Sequence, residues 1–284
     1  MLQTSPKTSV RAAPETAPLR VGLAGLGAVG LAVARRLDAG ISGLTLAAVS
    51  VRDLDKARRN LPCMANGMRS CAPEALAEHC DVVVEGLPPA AFRSVAGAAI
   101  EHSRIFMPLS VGQLLDNWDL VERARETGAR ILVPTGALIG LDAVRAAAEG
   151  DIRSVTMITR KPPGGLEGAP YLKQHGISLN GLTEPLKVFD GSARDGARGF
   201  PANVNVAAAL SLAGIGPDRT RLEIWADPSI DRNMHRIEVD ADTARFGMWI
   251  ENVPSVENPR TGKITALSAV AALRGLVSKL KVGT

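Results

Sequence analysis

Short apolar runs alternate with amphipathic stretches along the first half of the chain. RVGLAGLG is a buried run entering a glycine turn, and AVGLAVARRLDAG continues with helical spacing to a Gly stop. LTLAAVSV predicts a second buried strand, and LDKARRN opens a helix. DVVVEGLP predicts a β-branched third strand ended by Pro88 and Pro89. AAFRSVAGAAI reads as helix, IFMPLS as strand, LLDNWDLVERARETG as a helix ending in Gly, and ARILVPTGA as a further strand. Strands alternating with such helices predict a parallel, doubly wound sheet.

After about residue 150 the period changes. IRSVTMITR, PLKVFDGS, TRLEIWAD, NMHRIEVD and ARFGMWIENV alternate apolar and polar positions, mostly with short turns between them. They predict a mixed or antiparallel sheet with helices on one side. Two short helical segments in 193–214 supply one cover, and ITALSAVAALRGLVSKL is a terminal amphipathic helix. KPPGGLEGAPYLKQHGISLNGLTEP reads as a long Gly/Pro-rich loop, a lid or interface arm. The expected organisation is a disordered leader over 1–18, a doubly wound domain over 19–140, and a second α/β domain for catalysis and dimerisation over 141–262. A C-terminal helix within 263–284 is expected to pack back on the first domain.

Composition narrows the class. Hydrophobic residues make up 46% and charged residues 22% of 284, which excludes disorder for most of the chain. Aromatics are only 3%, so the core must be aliphatic and rich in Ala. No apolar run reaches the roughly 18 residues of a membrane span, and the leader lacks the apolar stretch of a secretory signal. A soluble, cytoplasmic protein is expected. The net charge is +4, with scattered basic residues and no Lys/Arg stripe interleaved with aromatics, so nucleic acid and membrane are not expected partners. A mildly basic balance suits an anionic substrate or cofactor. Cys63, Cys71 and Cys80 fit neither a disulfide framework nor a zinc knuckle and read as reduced thiols; no metal site is expected.

Gly25, Gly27 and Gly30 form G-x-G-x-x-G between the first strand and the first helix, the Rossmann-type frame. Gly25 permits the turn, Gly27 lets backbone approach a pyrophosphate, and Gly30 lets helix pack on strand. The free N–H groups at the helix start, around Ala28 and Val29, favour a phosphate. The bland alternative is a packing turn without ligand. About twenty residues on, where an NAD-specific chain places an acid on the ribose, the sequence reads Ser50-Val51-Arg52-Asp53. Ser50 and Arg52 suit a 2′-phosphate, and Asp53 suits a helix cap. A nicotinamide dinucleotide is therefore expected, NAD or NADP, with dual use.

His79, His102 and His175 lie at helix ends or in the Gly/Pro-rich loop and read as surface or capping residues. His235 differs: in NMHRIEV it alternates with Ile237 and Val239 and so faces the packed side. Pattern alone leaves both a hydrogen-bonded core histidine and a catalytic one open.

VGLAGLGAVG, LSVGQL, VPTGALIGLDAVRAAAEG, TRKPPGGL and GSARDGARGFPANVNVAAALSLAG carry a resemblance, continued by ADPSIDRNMHRIEVD and IENVPSVENPRTGKITALSAVAALR. In that order and over nearly all of the chain after residue 18, the sequence resembles the L-aspartate dehydrogenase family. The resemblance implies catalysis by His235, and contacts from Ala137 and Asn205 to the nicotinamide end of the cofactor. It implies oxidative deamination of aspartate, with oxaloacetate and ammonia as products, and a homodimer. Two departures stand out: no acid near Val51, and Glu85-Gly86-Leu87-Pro88 where the family has a small, polar EAAS-like turn. Ser110 completes the candidate cofactor set. Thr135, Arg160, Lys161 and Asn203 are candidates for the substrate carboxylates, although Arg160 and Lys161 equally suit a solvated strand end and Asn203 a helix cap or solvent. The rival readings are a related two-domain oxidoreductase acting on another keto acid, imine or sugar, and a non-catalytic dinucleotide sensor.

Overall fold

The computed structural model describes residues 17–65, 67–201, 204–255, 258 and 261–283. The predicted leader over 1–18 falls almost wholly outside the described residues, as does Asn203. The first half runs β1 (Leu19–Ala24), α1 (Ala28–Asp38), β2 (Leu44–Ser50), α2 (Leu54–Asn60), α3 (Pro62–Ala65), β3 (Arg69–Ser70), α4 (Leu76–His79), β4 (Val82–Glu85), α5 (Pro89–Glu101), β5 (Ile105–Pro108), α6 (Gly112–Asp116), α7 (Trp118–Thr127) and β6 (Arg130–Ile131). The second runs α8 (Leu141–Ala147), β7 (Ile152–Lys161), α9 (Pro170–Gln174), β8 (Leu186–Ser192), α10 (Ala193–Gly199), α11 (Asn205–Ala213), β9 (Arg221–Ala226), β10 (Met234–Ala241), β11 (Arg245–Glu251) and α12 (Lys263–Val277).

Six strands form the first sheet, ordered β3-β2-β1-β4-β5-β6, all parallel. Val82, Val83 and Val84 are buried, as a strand covered on both faces requires. The second sheet is ordered β11-β10-β7-β9-β8 and is mixed, since β7 and β9 are parallel and the other pairs antiparallel. Its strands alternate: β10 buries His235, Ile237 and Val239 and turns Arg236 and Glu238 outward. One face is therefore covered by helices and the other is open.

α12 returns to the first sheet and packs on α1 and β2, burying Ala269 and Leu273 in one apolar cluster with Val33 and Leu37. A second cluster runs from Phe92 and Phe106 through Leu138 and Val144 to Met157 and Ile237, so apolar packing is continuous between the two sheets. Two features depart from the sequence reading. ARILVPTGA pairs over only Arg130–Ile131 before leaving as the crossover to the second sheet. The Gly/Pro-rich segment after Lys161 is a packed element: Leu166, Ala169 and Leu172 are buried, and Tyr171 stacks on Phe200 with ring centroids 5.4 Å apart. Its glycines mask an apolar spacing of three residues. No described helix is long and apolar enough to cross a membrane.

Candidate active site

Each glycine of the turn after β1 has its own steric reason. Gly25 has φ +98°, a left-handed conformation that side chains resist, and its N–H donates to the Ser50 carbonyl at 2.9 Å. A Cβ on Gly30 would collide with the Gly25 carbonyl oxygen, so helix and turn could not close. A Cβ on Gly27 would meet nothing within 4 Å. It would instead project into open space beside the N-terminus of α1, which has no side-chain cap and no acidic residue in its first turn. Ala28 and Val29 begin this helix, and the cradle fits an anionic pyrophosphate.

At the end of β2, Ser50 is buried and Arg52 is exposed. Asp53 is the N-cap of α2, its carboxylate accepting from the Lys56 N–H at 2.8 Å. That occupation leaves Arg52 as the charged group at the strand end.

A cavity lies between the sheets, lined from the first half by Leu109, Val111, Thr135 and Ala137 and from the second by Lys161, Asn205, Asn233 and His235. Thr261, Gly262 and Thr265 close it at the start of α12. Register explains the convergence: His235 pairs with Thr159, and Lys161 lies two residues further along β7 on the same face. His235 Nδ1 and Thr159 Oγ1 are 3.2 Å apart, which leaves Nε2 for a ligand. Asn205 starts α11, and its Oδ1 accepts from the Gly112 N–H at 3.0 Å. Ser110 turns from the cavity to Glu85, its N–H and Oγ donating to the carboxylate at 3.2 and 3.1 Å.

Among the described residues the lining holds one lysine and no carboxylate. His235 and Lys161 are only 4% and 5% exposed. Burial, helped by the charge of Lys161, lowers the His235 pKa to about 3, so the imidazole is neutral near pH 7. This differs from the ordinary histidine range that the sequence suggests, because the ring is buried beside the charge of Lys161. Burial also pushes the Glu85 carboxyl up, against the donors from Leu87 and Ser110.

Not every candidate converges here. Arg160 alternates to the opposite face of β7, where Nη1 donates to Asp227 at 3.0 Å and the guanidinium sits 5.1 Å from the Trp225 ring. It lines a depression on the open face with Ile158, Met234 and Trp249. Burial opposes ionisation of Asp227, yet the Ser229 and Arg160 donors hold its carboxyl below the usual range. The sequence reading missed Asn233, Thr261 and Thr265. Asn233 shares the parity of His235, so alternation could have found it. The threonines come from a distant segment and carry no such signal.

In doubly wound sheets, dinucleotides bind at the carboxyl ends of the strands where strand order reverses, here between β1 and β4. With the cavity beside that crevice, the architecture is that of a two-domain nicotinamide-dependent oxidoreductase. Residues 25–134 match the family described as homoserine dehydrogenase, NAD binding domain, and residues 142–276 match aspartate dehydrogenase, C-terminal. The L-aspartate dehydrogenase of Bradyrhizobium diazoefficiens is 54% identical over 94% of each chain. L-aspartate dehydrogenase 3 of Bordetella bronchiseptica is 49% identical over 94% of this chain and 98% of its own length. The crystal structure of aspartate dehydrogenase from Thermotoga maritima shares the fold with a TM-score of 0.70 at 22% identity, covering 93% of this chain and 99% of that one. The chain belongs to the aspartate dehydrogenase family.

Two outcomes test this geometry. Gly27→Leu should leave unfolding within about 1 kcal/mol of wild type, since only a cap preference changes, and abolish NADH binding read by fluorescence. Gly30→Ala should instead cost about 1–3 kcal/mol in chemical denaturation through overpacking; the reverse pattern would make Gly27 a packing residue. His235 should show no NMR titration between pH 5 and 8 in the free protein. Because its folded pKa lies below the unfolded value, its stability contribution is present above about pH 6.5 and is lost as pH falls toward 3, at up to about 1.4 kcal/mol per pH unit. His235→Asn should remove that share of the acid slope, and an unchanged slope would refute a buried neutral imidazole.

Proposed function

We propose that the chain catalyses the oxidative deamination of L-aspartate to iminoaspartate, and thence oxaloacetate and ammonia, together with the reverse reductive amination. The observation that carries this reading is the cavity in which His235 and Lys161 meet Ala137 and Asn205. A substrate with two carboxylates needs cationic or amide donors, and Lys161 on the cavity wall is a cationic one. Thr135 adds a hydroxyl on the opposite wall. Arg160, paired with Asp227 on the other face, serves the sheet rather than the substrate.

The turn at Gly25, Gly27 and Gly30 would hold the pyrophosphate of the dinucleotide, and Ala137 and Asn205 would flank its nicotinamide. When bound, that cofactor accepts the hydride from the substrate α-carbon. The protein manages the protons. His235 is neutral and therefore competent as a base, with Nε2 free to take a proton from the water that attacks the imine carbon. Anionic substrate beside Lys161 offsets the positive field on the imidazole, so basicity at Nε2 rises when substrate is present.

Ser50 and Arg52 support use of NADP beside NAD, since no acid occupies the ribose position and Asp53 is engaged as a cap. A second copy of the chain is read onto the open face of the second sheet, where Trp249 is 73% exposed on an edge strand.

Absorbance of reduced nicotinamide in a panel of amino and keto acids should give aspartate and oxaloacetate as the preferred pair. His235→Asn should bind NADH normally and turn over about 10²–10⁴-fold more slowly; wild-type turnover in the folded variant would remove the histidine from the mechanism. Arg52→Ala should weaken NADP relative to NAD by about 1–3 kcal/mol, and equal losses would refute the phosphate contact. Sedimentation should give a dimer for the wild type and a monomer for Trp249→Asp; a monomeric wild type would refute the pairing.

A further inference from the structure

The chain crosses between its two sheets twice, at the segment after β6 and at the segment between β11 and α12. Asn252 sits where the second crossing begins and is 3% exposed. It follows β11 directly, and its N–H extends the ladder by donating to the Asn233 carbonyl at 2.8 Å. Sharing the parity of Ile250, which pairs with His235, it lies on the histidine's face of the sheet. Its Nδ2 donates to the Ala137 carbonyl at 3.1 Å, in the first crossing. Its Oδ1 lies against Gly262, where an added Cβ would stand 2.8 Å away, and finds no partner among the described residues. Asn233, Ala137 and Gly262 all line the cavity. One buried residue thus touches three of its walls, two through its carboxamide and one through its backbone, each from a different part of the chain. The Ala137 turn is held on its other side too, where the Gly136 N–H donates to Ser268 Oγ at 2.9 Å.

We infer that Asn252 is a positioning residue for the redox step, fixing the Ala137 turn at a set distance from the strand that carries His235. The inference rests on the dehydrogenase reading and adds to it a residue outside the reacting groups. Hydride transfer is sensitive to this distance, whereas the pyrophosphate end is held separately by the glycine turn. Loss of the bond should therefore separate affinity from turnover. A side chain that merely stabilised the fold would lower the melting temperature and leave turnover per folded molecule unchanged.

The test uses Asn252→Ala and Asn252→Asp, the second keeping the shape but losing the donor to Ala137. Both should lower kcat at least tenfold, since a misplacement of about 1 Å can cost about 10²-fold, while Kd for NADH stays within about threefold of wild type. The deuterium isotope effect with α-deuterated aspartate should rise as hydride transfer becomes slower. Gly262→Ala, which pushes on the carboxamide without removing it, should move kcat the same way and serves if the others fail to fold. Wild-type kcat in any folded variant, or a kcat loss that only follows the folded fraction, overturns the inference. Absence of aspartate-dependent reduction by the wild-type chain would overturn the underlying reading instead.

Discussion

A lysine and a histidine are buried on neighbouring strands, in a cavity whose lining, among the described residues, contains no carboxylate. Burying an ammonium is costly unless something anionic or richly polar meets it. Regular pairing holds both groups in register at the end of β7 and the start of β10. Everything else about the site answers to this arrangement. The imidazole stays neutral, the other described polar groups of the lining are amides and hydroxyls, and the buried carboxylate of Glu85, near the cofactor crevice, is bound by the donors of Leu87 and Ser110.

The two sheets divide the task according to their geometry. Parallel strands in the first place their carboxyl ends, and the start of α1, along one edge, which suits a long anionic cofactor. Alternation in the second puts His235 and Lys161 on the helix-covered face and leaves the other face open. Arg160 and Lys161 make the point: adjacent in sequence, they face opposite ways, one to an ion pair with Asp227 and the other to the cavity.

Much of this was legible before the fold was known. The glycine turn, the β/α alternation and the inward parity of His235 are local patterns, and local patterns survive folding. What escaped was register and distance. Nothing in TRKPP tells which of two basic residues faces the histidine until Thr159 is paired with it. The bond from Asn252 to Ala137 joins two loops far apart in sequence, with no periodicity to announce it. The packed segment after Lys161 was misread because its Gly and Pro content outweighed three spaced apolar residues. The histidine's depressed pKa likewise depends on burial that sequence alone does not quantify.

α12 lies near one end of the described chain and packs against α1, near the other. During synthesis, then, the nucleotide half emerges first but cannot cover the outer face of α1 until α12 has left the ribosome. The glycine turn is made before α12, so its helix is fully packed only after α12 has been made. Until then the apolar cluster that α1 shares with Ala269 and Leu273 is incomplete, and the helix that carries the cofactor cradle lacks part of its support.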